Sequence, residues 1–176
     1  MKFAPTDLPG VIRIIPQRIA DERGFFARLF CPEEFAAAGY AFAPVQMNLS
    51  RNRLAHTLRG LHFQSEPFAE GKIVRVVRGA VFDVVVDLRS DSPTYRRWTS
   101  ALLSAENGEA LLVPAGCAHG FLTLEDETDV LYQMDRLYEP GHARGLRYDD
   151  PALAIAWPAA PRVIAPADLA WPALDP

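Results

Sequence analysis

The stretch LRGLHFQ, residues 58–64, sets His62 among leucines and a phenylalanine, with Arg59 three residues before it. Of all side chains, histidine is the one whose ordinary titration lies nearest neutrality. His62 is therefore either a core residue with a hydrogen-bond partner or a base able to take a proton. Three more polar residues, Lys72, His119 and Tyr132, interrupt otherwise apolar runs. Burying one such group unpartnered costs about 1–3 kcal/mol, so four of them on apolar segments suggest a shared polar cavity. Each also has an ordinary reading: a satisfied core histidine, a lysine facing solvent, a tyrosine with its ring packed and its hydroxyl wet. Composition and spacing leave both readings open.

Other chemistries have less support. A metal centre needs three or four ligands converging from defined spacings, and His56, His62, His119 and His142 are scattered along the chain. The patterns GxSxG, GxxxxGK[ST] and GxGxxG are absent, which removes the main support for a hydrolase elbow, a P-loop or a dinucleotide fold. A formal charge of -4 with no basic run argues against a nucleic-acid partner. Cys31 and Cys117 fit no metal or redox spacing. No segment resembles a signal peptide or is apolar enough to cross a bilayer, so a cytoplasmic protein without a membrane partner is expected.

The elements that must hold these residues are mostly strands. VIRII alternates up to Pro16, and a second short run ends in the charged turn DERG. PEEFAAAG reads as a short helix, with Pro32 in its first turn, Glu33 and Glu34 at its positive end and Gly39 to stop it. KIVRVVRGAVFDVVVDLR, dense in valine, divides at Arg78-Gly79 and reads as a β-hairpin. RRWTSALLS, EALLVPAG, HGFLTLE and DVLYQMDRLY follow as strands between turn clusters, the rhythm of an all-β sandwich or barrel. The proline-dense end carries Trp157, Ile164 and Trp171, too apolar for a solvated tail, so an ordered arm packed across the sheets is expected, frayed at its last few residues. No repeat or linker divides residues 1–176, which implies a single domain.

Three blocks in order, LRGLHFQ with GKIVRVVRGAVFDVVVDLR, VPAGCAHGFLTL, and RGLRYDDP followed by IAWP, resemble the dTDP-4-dehydrorhamnose 3,5-epimerase family, and DERGFF and SPTYRRW extend the similarity over nearly the whole chain. The resemblance implies a cupin-type jelly roll and a cofactor-independent, metal-free isomerase. Its substrate would be a nucleotide-diphosphate-linked 4-keto-6-deoxyhexose, whose ketone acidifies the hydrogens on carbons 3 and 5. Matched position by position, His62 is the base and Asp168 of APADLAW its orienting carboxylate. Tyr132 is the acid on the opposite face. Lys72 is the cation beside the carbonyl oxygen, expected also to depress the Tyr132 pKa. Arg59 and His119 match contacts to the sugar and diphosphate, Arg23, Gln46 and Asn48 match others near the mouth, and Tyr138 matches a base-stacking tyrosine. A homodimer, with N-terminal strands reaching the partner's sheet, is also implied.

The departures fall in binding positions. Arg28 and Ala143 stand where the family pattern has glutamates, the segment Ala165-Pro166-Ala167 stands where it often has a serine and a lysine, and Met47 where it is commonly acidic. They imply that the proton chemistry persists while the nucleobase or the sugar substituents differ from the dTDP-rhamnose precursor. Inversion at one carbon instead of two, a cupin ketoisomerase and a non-catalytic nucleotide-sugar binder are the competing readings.

Overall fold

The computed structural model describes residues 1–174. Fourteen strands supply nearly all the regular secondary structure among these residues: β1 Lys2–Pro5, β2 Ile12–Ile15, β3 Arg18–Asp21, β4 Gly24–Ala27, β5 Gln46–Asn52, β6 Thr57–Gln64, β7 Lys72–Arg78, β8 Ala80–Asp87, β9 Trp98–Ser104, β10 Ala110–Val113, β11 Cys117–Thr123, β12 Thr128–Met134, β13 Ala143–Gly145 and β14 Val163–Ile164. Two short helices, α1 Pro32–Ala37 and α2 Pro166–Leu169, complete the set. One sheet runs β1-β2-β10-β7-β12-β5 and the other β13-β6-β11-β8-β9, while β14 lies parallel to β6 and β3–β4 form a separate two-stranded ribbon. This is the cupin-type jelly roll. No helix among the described residues is long and apolar enough to cross a membrane.

Three apolar layers follow from strand alternation. Between the sheets, Val74, Val76, Val81, Val85, Leu111 and Phe121 form the central core. Outside the first sheet, Ile12, Ile14 and Ile73 are capped by Phe35 of α1 and by Phe42. The helix stops as the sequence implies. Gly39 takes φ 84°, and the N–H groups of Gly39 and Tyr40 reach back to the carbonyls of Ala36 and Phe35. Outside the second sheet, Leu61, Val84 and Val86 are covered by Leu153, Ile155 and Trp157, so the proline-dense arm is a packed layer.

The hairpin expected at Arg78-Gly79 does not form. β7 pairs with β10 and β12, whereas β8 pairs with β11 and β9 in the opposite sheet. Both strands are apolar on both faces, so each needs a strand neighbour on either side and cover above and below. Crossing between sheets gives both, and sets Val74 and Val76 against Val81 and Val85 through the core. Gly79 turns the corner at φ 74°, where a side chain would run into Thr128.

One irregularity in β6 matters for the site. His62 lies opposite His119, but Arg59 lies opposite Phe121, so three steps on β6 match two on β11. This extra residue resets the alternation, and Arg59 and His62, which a regular strand would send to opposite faces, both point between the sheets. Leu61 goes to the outer layer. The bulge depends on Gly60, whose φ is 131° and whose missing Cβ would lie 2.5 Å from Gly120 Cα. Gly60→Ala is expected to cost at least about 2 kcal/mol through left-handed strain and backbone overlap, read as a lowered urea midpoint.

Candidate active site

Between the two sheets lies a cavity of about 420 Å³. Arg59, His62 and His119 face it from one sheet, and Lys72 and Tyr132 from the other. The C-terminal arm closes one side with Asp168 and Trp171. Thus the four polar residues that interrupt apolar strands share one space.

His62 Nε2 lies 2.6 Å from Asp168 Oδ1, and the other carboxylate oxygen accepts the Gly60 N–H at 3.2 Å. Asp168 is buried while the His62 side chain stays 46% exposed toward the cavity. Two features of the arm bring the carboxylate there. Pro166 opens α2, and the preceding Val163–Ile164 pair with Thr57 and Leu58 of β6. Burial alone would raise the Asp168 pKa. The hydrogen bond and charge of His62, with the Gly60 N–H, outweigh it and leave the carboxyl below its ordinary range.

The other polar residues also arrive with partners. Lys72 Nζ is 2.9 Å from Glu70 Oε1, both side chains being buried, and Glu70 Oε2 has no partner. His119 Nε2 is 2.8 Å from Asp83 Oδ2, with Asp83 fully buried and its Oδ1 unpartnered. The His119 ring stands edge-on to Tyr132 at 6.2 Å. Burial first, and the Asp83 carboxylate second, push the Tyr132 phenol well above its usual pKa. The shift runs upward, against the depression expected from Lys72, whose ammonium is paired with Glu70.

Nearer the mouth, Arg59 Nε donates to Asn52 Oδ1 at 2.8 Å, and Asn48 lines the cavity with its amide 3.4 Å from Met134 Sδ. Gln46 Oε1 accepts the Tyr138 N–H at 3.1 Å, which places the half-exposed Tyr138 ring at the rim. Gln64 anchors the same segment, accepting from Glu139 N–H at 2.6 Å and donating to Leu137.

Gln46 does not itself line the cavity and meets it only through Tyr138, and Arg23 lies farther away. The arginine sits at the tip of the β3–β4 ribbon, highly exposed and paired with Asp21, outside this cavity. The ribbon joins neither large sheet, so nothing within one chain carries its tip to the site. Of the four departures, Ala143 and Ala167 line the cavity, Arg28 pairs with Glu34 at 2.9 Å, and Met47 is exposed. Glu70, Asp83 and Trp171 are cavity or support residues that the reading of motifs passed over. A signal existed for two of them: Glu70 is two residues before Lys72, and Asp83 interrupts a valine run.

A family model described as dTDP-4-dehydrorhamnose 3,5-epimerase matches residues 5–176. The chain is 48% identical over 158 residues to a dTDP-4-dehydrorhamnose 3,5-epimerase from Sinorhizobium fredii, covering 90% of this chain and 81% of the relative. Its fold superposes with a TM-score of 0.96 on a dTDP-4-dehydrorhamnose 3,5-epimerase from Bacillus anthracis, solved with TDP and pyrophosphate bound, at 40% identity over 98% of this chain and 99% of the other. A 3'-monoepimerase from Streptomyces bikiniensis, in complex with dTDP-quinovose, superposes with a TM-score of 0.90 at 32% identity over 97% and 86%.

The lowered Asp168 pKa fixes the sign of an acid response. A carboxyl depressed in the folded state adds stability that is complete above its unfolded value, near 3.8, and is lost as pH falls through the lower folded value. Asp168→Asn should therefore be less stable than the native chain at pH 7, and the gap between their urea midpoints should narrow steadily below pH 3.8. A gap that is constant with pH would contradict this.

Proposed function

The chain belongs to the dTDP-4-dehydrorhamnose 3,5-epimerase family, and on that basis we propose that this cavity epimerises a nucleotide-diphosphate-linked 4-keto-6-deoxyhexose. The observation that carries the site assignment is the 2.6 Å His62–Asp168 bond with Tyr132 on the facing sheet of the same cavity. His62 takes the proton from a carbon flanking the ketone, and the electron pair moves to the ketone oxygen as an enolate. Asp168 holds the resulting imidazolium in place. The Lys72 ammonium donates to the enolate oxygen. With Glu70 beside it, Lys72 acts more through its directed N–H bonds than through net charge. Tyr132 then gives its proton to the opposite face of the carbon and recovers one from solvent, while His62 releases the abstracted proton to solvent and is ready for the next cycle.

Carbons 3 and 5 flank the same carbonyl, so one base and one acid serve both. Relatives of this fold include 3,5-epimerases and a 3'-monoepimerase, and label distribution between the two carbons separates these outcomes. Arg59, His119, Asn48 and Gln46 are assigned to the diphosphate and sugar, and Tyr138 to the nucleobase. Ala143 and Ala167 leave that region less polar than the family pattern, which supports a nucleobase or sugar substituent other than that of the dTDP-rhamnose precursor. In heavy water, NMR across dTDP-, GDP-, CDP- and UDP-linked 4-keto sugars should show deuterium at carbon 3, carbon 5 or both. His62→Ala should lose about 10²–10⁴-fold of that exchange, and Tyr132→Phe should impair the two carbons unequally. Full exchange in the His62 variant would remove it as the base.

The same reading includes a homodimer. The ribbon exposes Ile19, Phe25 and Phe26 at 66%, 58% and 69%, and β5, an edge strand, adds Met47 and Leu49. Large apolar side chains left exposed on a ribbon and on an edge strand favour a protein partner, and a second copy would bring Arg23 to the neighbouring cavity. Light scattering should give twice the chain mass, and Phe26→Asp should give the single mass. A monomeric native protein would refute the assignment.

A further inference from the structure

Asp168 reaches His62 from a helix of only four residues that has no side-chain cap. What holds that helix in register is therefore a question for its surroundings. Gly60 and His62 bond the carboxylate itself, and Arg147 donates to the Leu169 carbonyl at 2.7 Å. The remaining contact is steric. The Trp171 indole is seated directly on Gly145, and a Cβ at that glycine would collide with Cε2, Nε1 and Cδ2 of the ring. Gly145 is the residue opposite His62 in the β13–β6 pair. The indole thus fills the side-chain space of His62's cross-strand neighbour and stands edge-on to the imidazole, 6.3 Å between centroids at 69°. Its N–H is buried without completing a hydrogen bond, yet lies close enough to Asp168 to favour the ionised carboxylate.

We propose that Trp171, seated on Gly145, is a positioning residue for the proton-abstracting pair: it clamps α2 so that Asp168 stays in bonding distance of His62. The proposal rests on the reading of His62 as the base. Catalytic geometry tolerates little drift, and about 1 Å of misplacement costs on the order of 10²-fold in rate. Asp168 moves with whatever moves α2. Because the ring occupies the space a side chain at Gly145 would need, the clamp can be released from either side, by shrinking the indole or by adding a methyl group to the glycine.

Two measurements test this. In the deuterium-exchange assay, Trp171→Ala and Gly145→Ala should each lower kcat by about 10- to 100-fold with KM changed by less than about threefold. Trp171→Phe should recover most of the rate, and melting curves establish that each variant is folded. In a His62→Ala background, Trp171→Ala should cause no further loss, because residues acting through one another are not additive. Undiminished kcat in Trp171→Ala, or a loss confined to KM, would overturn the proposal. The second measurement needs no substrate. The indole packed over Gly145 has its N–H buried, so Trp171 emission, taken as the difference between the native protein and Trp171→Phe, should shift to the red in Gly145→Ala, which displaces the ring toward solvent. Emission unchanged by Gly145→Ala would show that the ring is not seated there. If the native enzyme exchanged deuterium into none of the sugars, the epimerase reading would fall, and the emission shift would still decide whether the seat exists.

Discussion

The architecture answers to one bond: a carboxylate 106 residues downstream must meet His62 at 2.6 Å. A β-strand can aim His62 into the space between two sheets, but the residues of β6 that face the same cavity, Arg59 and Gln64, carry no carboxylate. The partner comes from outside the sheets. The proline-dense arm does this by spending its length on the outer face of the second sheet, through Leu153, Ile155 and Trp157, before β14 returns it to β6. The arm's apolar residues are thus the means by which a short helix is delivered to the cavity.

Placing cations and histidines between apolar sheets carries a desolvation cost, and the chain meets it locally. Lys72 has Glu70, His119 has Asp83 and His62 has Asp168. Each pair leaves the basic member facing the cavity and the acidic member buried behind or beside it. Two of the carboxylates keep an oxygen with no partner, Glu70 Oε2 and Asp83 Oδ1, so hydrogen-bonding capacity is concentrated around the cavity walls. The Tyr132 phenol sits among these charges as a neutral group, and its pKa is set by burial and by Asp83.

Much of this was legible in the sequence, at two different depths. Strand-forming runs, the α1 helix with its glycine stop and the ordered arm were readable from residue type and spacing, since local propensity and tertiary packing agree there. The crossover at Gly79 was not. A valine-rich run broken by glycine looks the same whether its halves pair or face one another across a core, and only the neighbours β10, β11 and β12 decide. Arg59 and His62 share a face because β6 gains a residue at the bulge, which counting by twos along a strand hides. Glu70 stood two residues before Lys72 and Asp83 broke a valine run, but neither carboxylate shows which cation it serves until Lys72 and His119 are placed. Trp171 read as apolar filling because its distinctive contact is with the absence of a side chain at Gly145.

That contact also constrains how the sequence can drift. While the indole occupies the space over Gly145, no residue other than glycine fits there, and residue 145 is the cross-strand neighbour of His62. A side chain can enter at 145 only after position 171 has become small, and a bulky 171 can be regained only after 145 reverts. The two positions therefore form a ratchet, in which the order of substitutions matters more than their number. Lineages on either side of it are separated by an intermediate whose helix α2 has lost its seat.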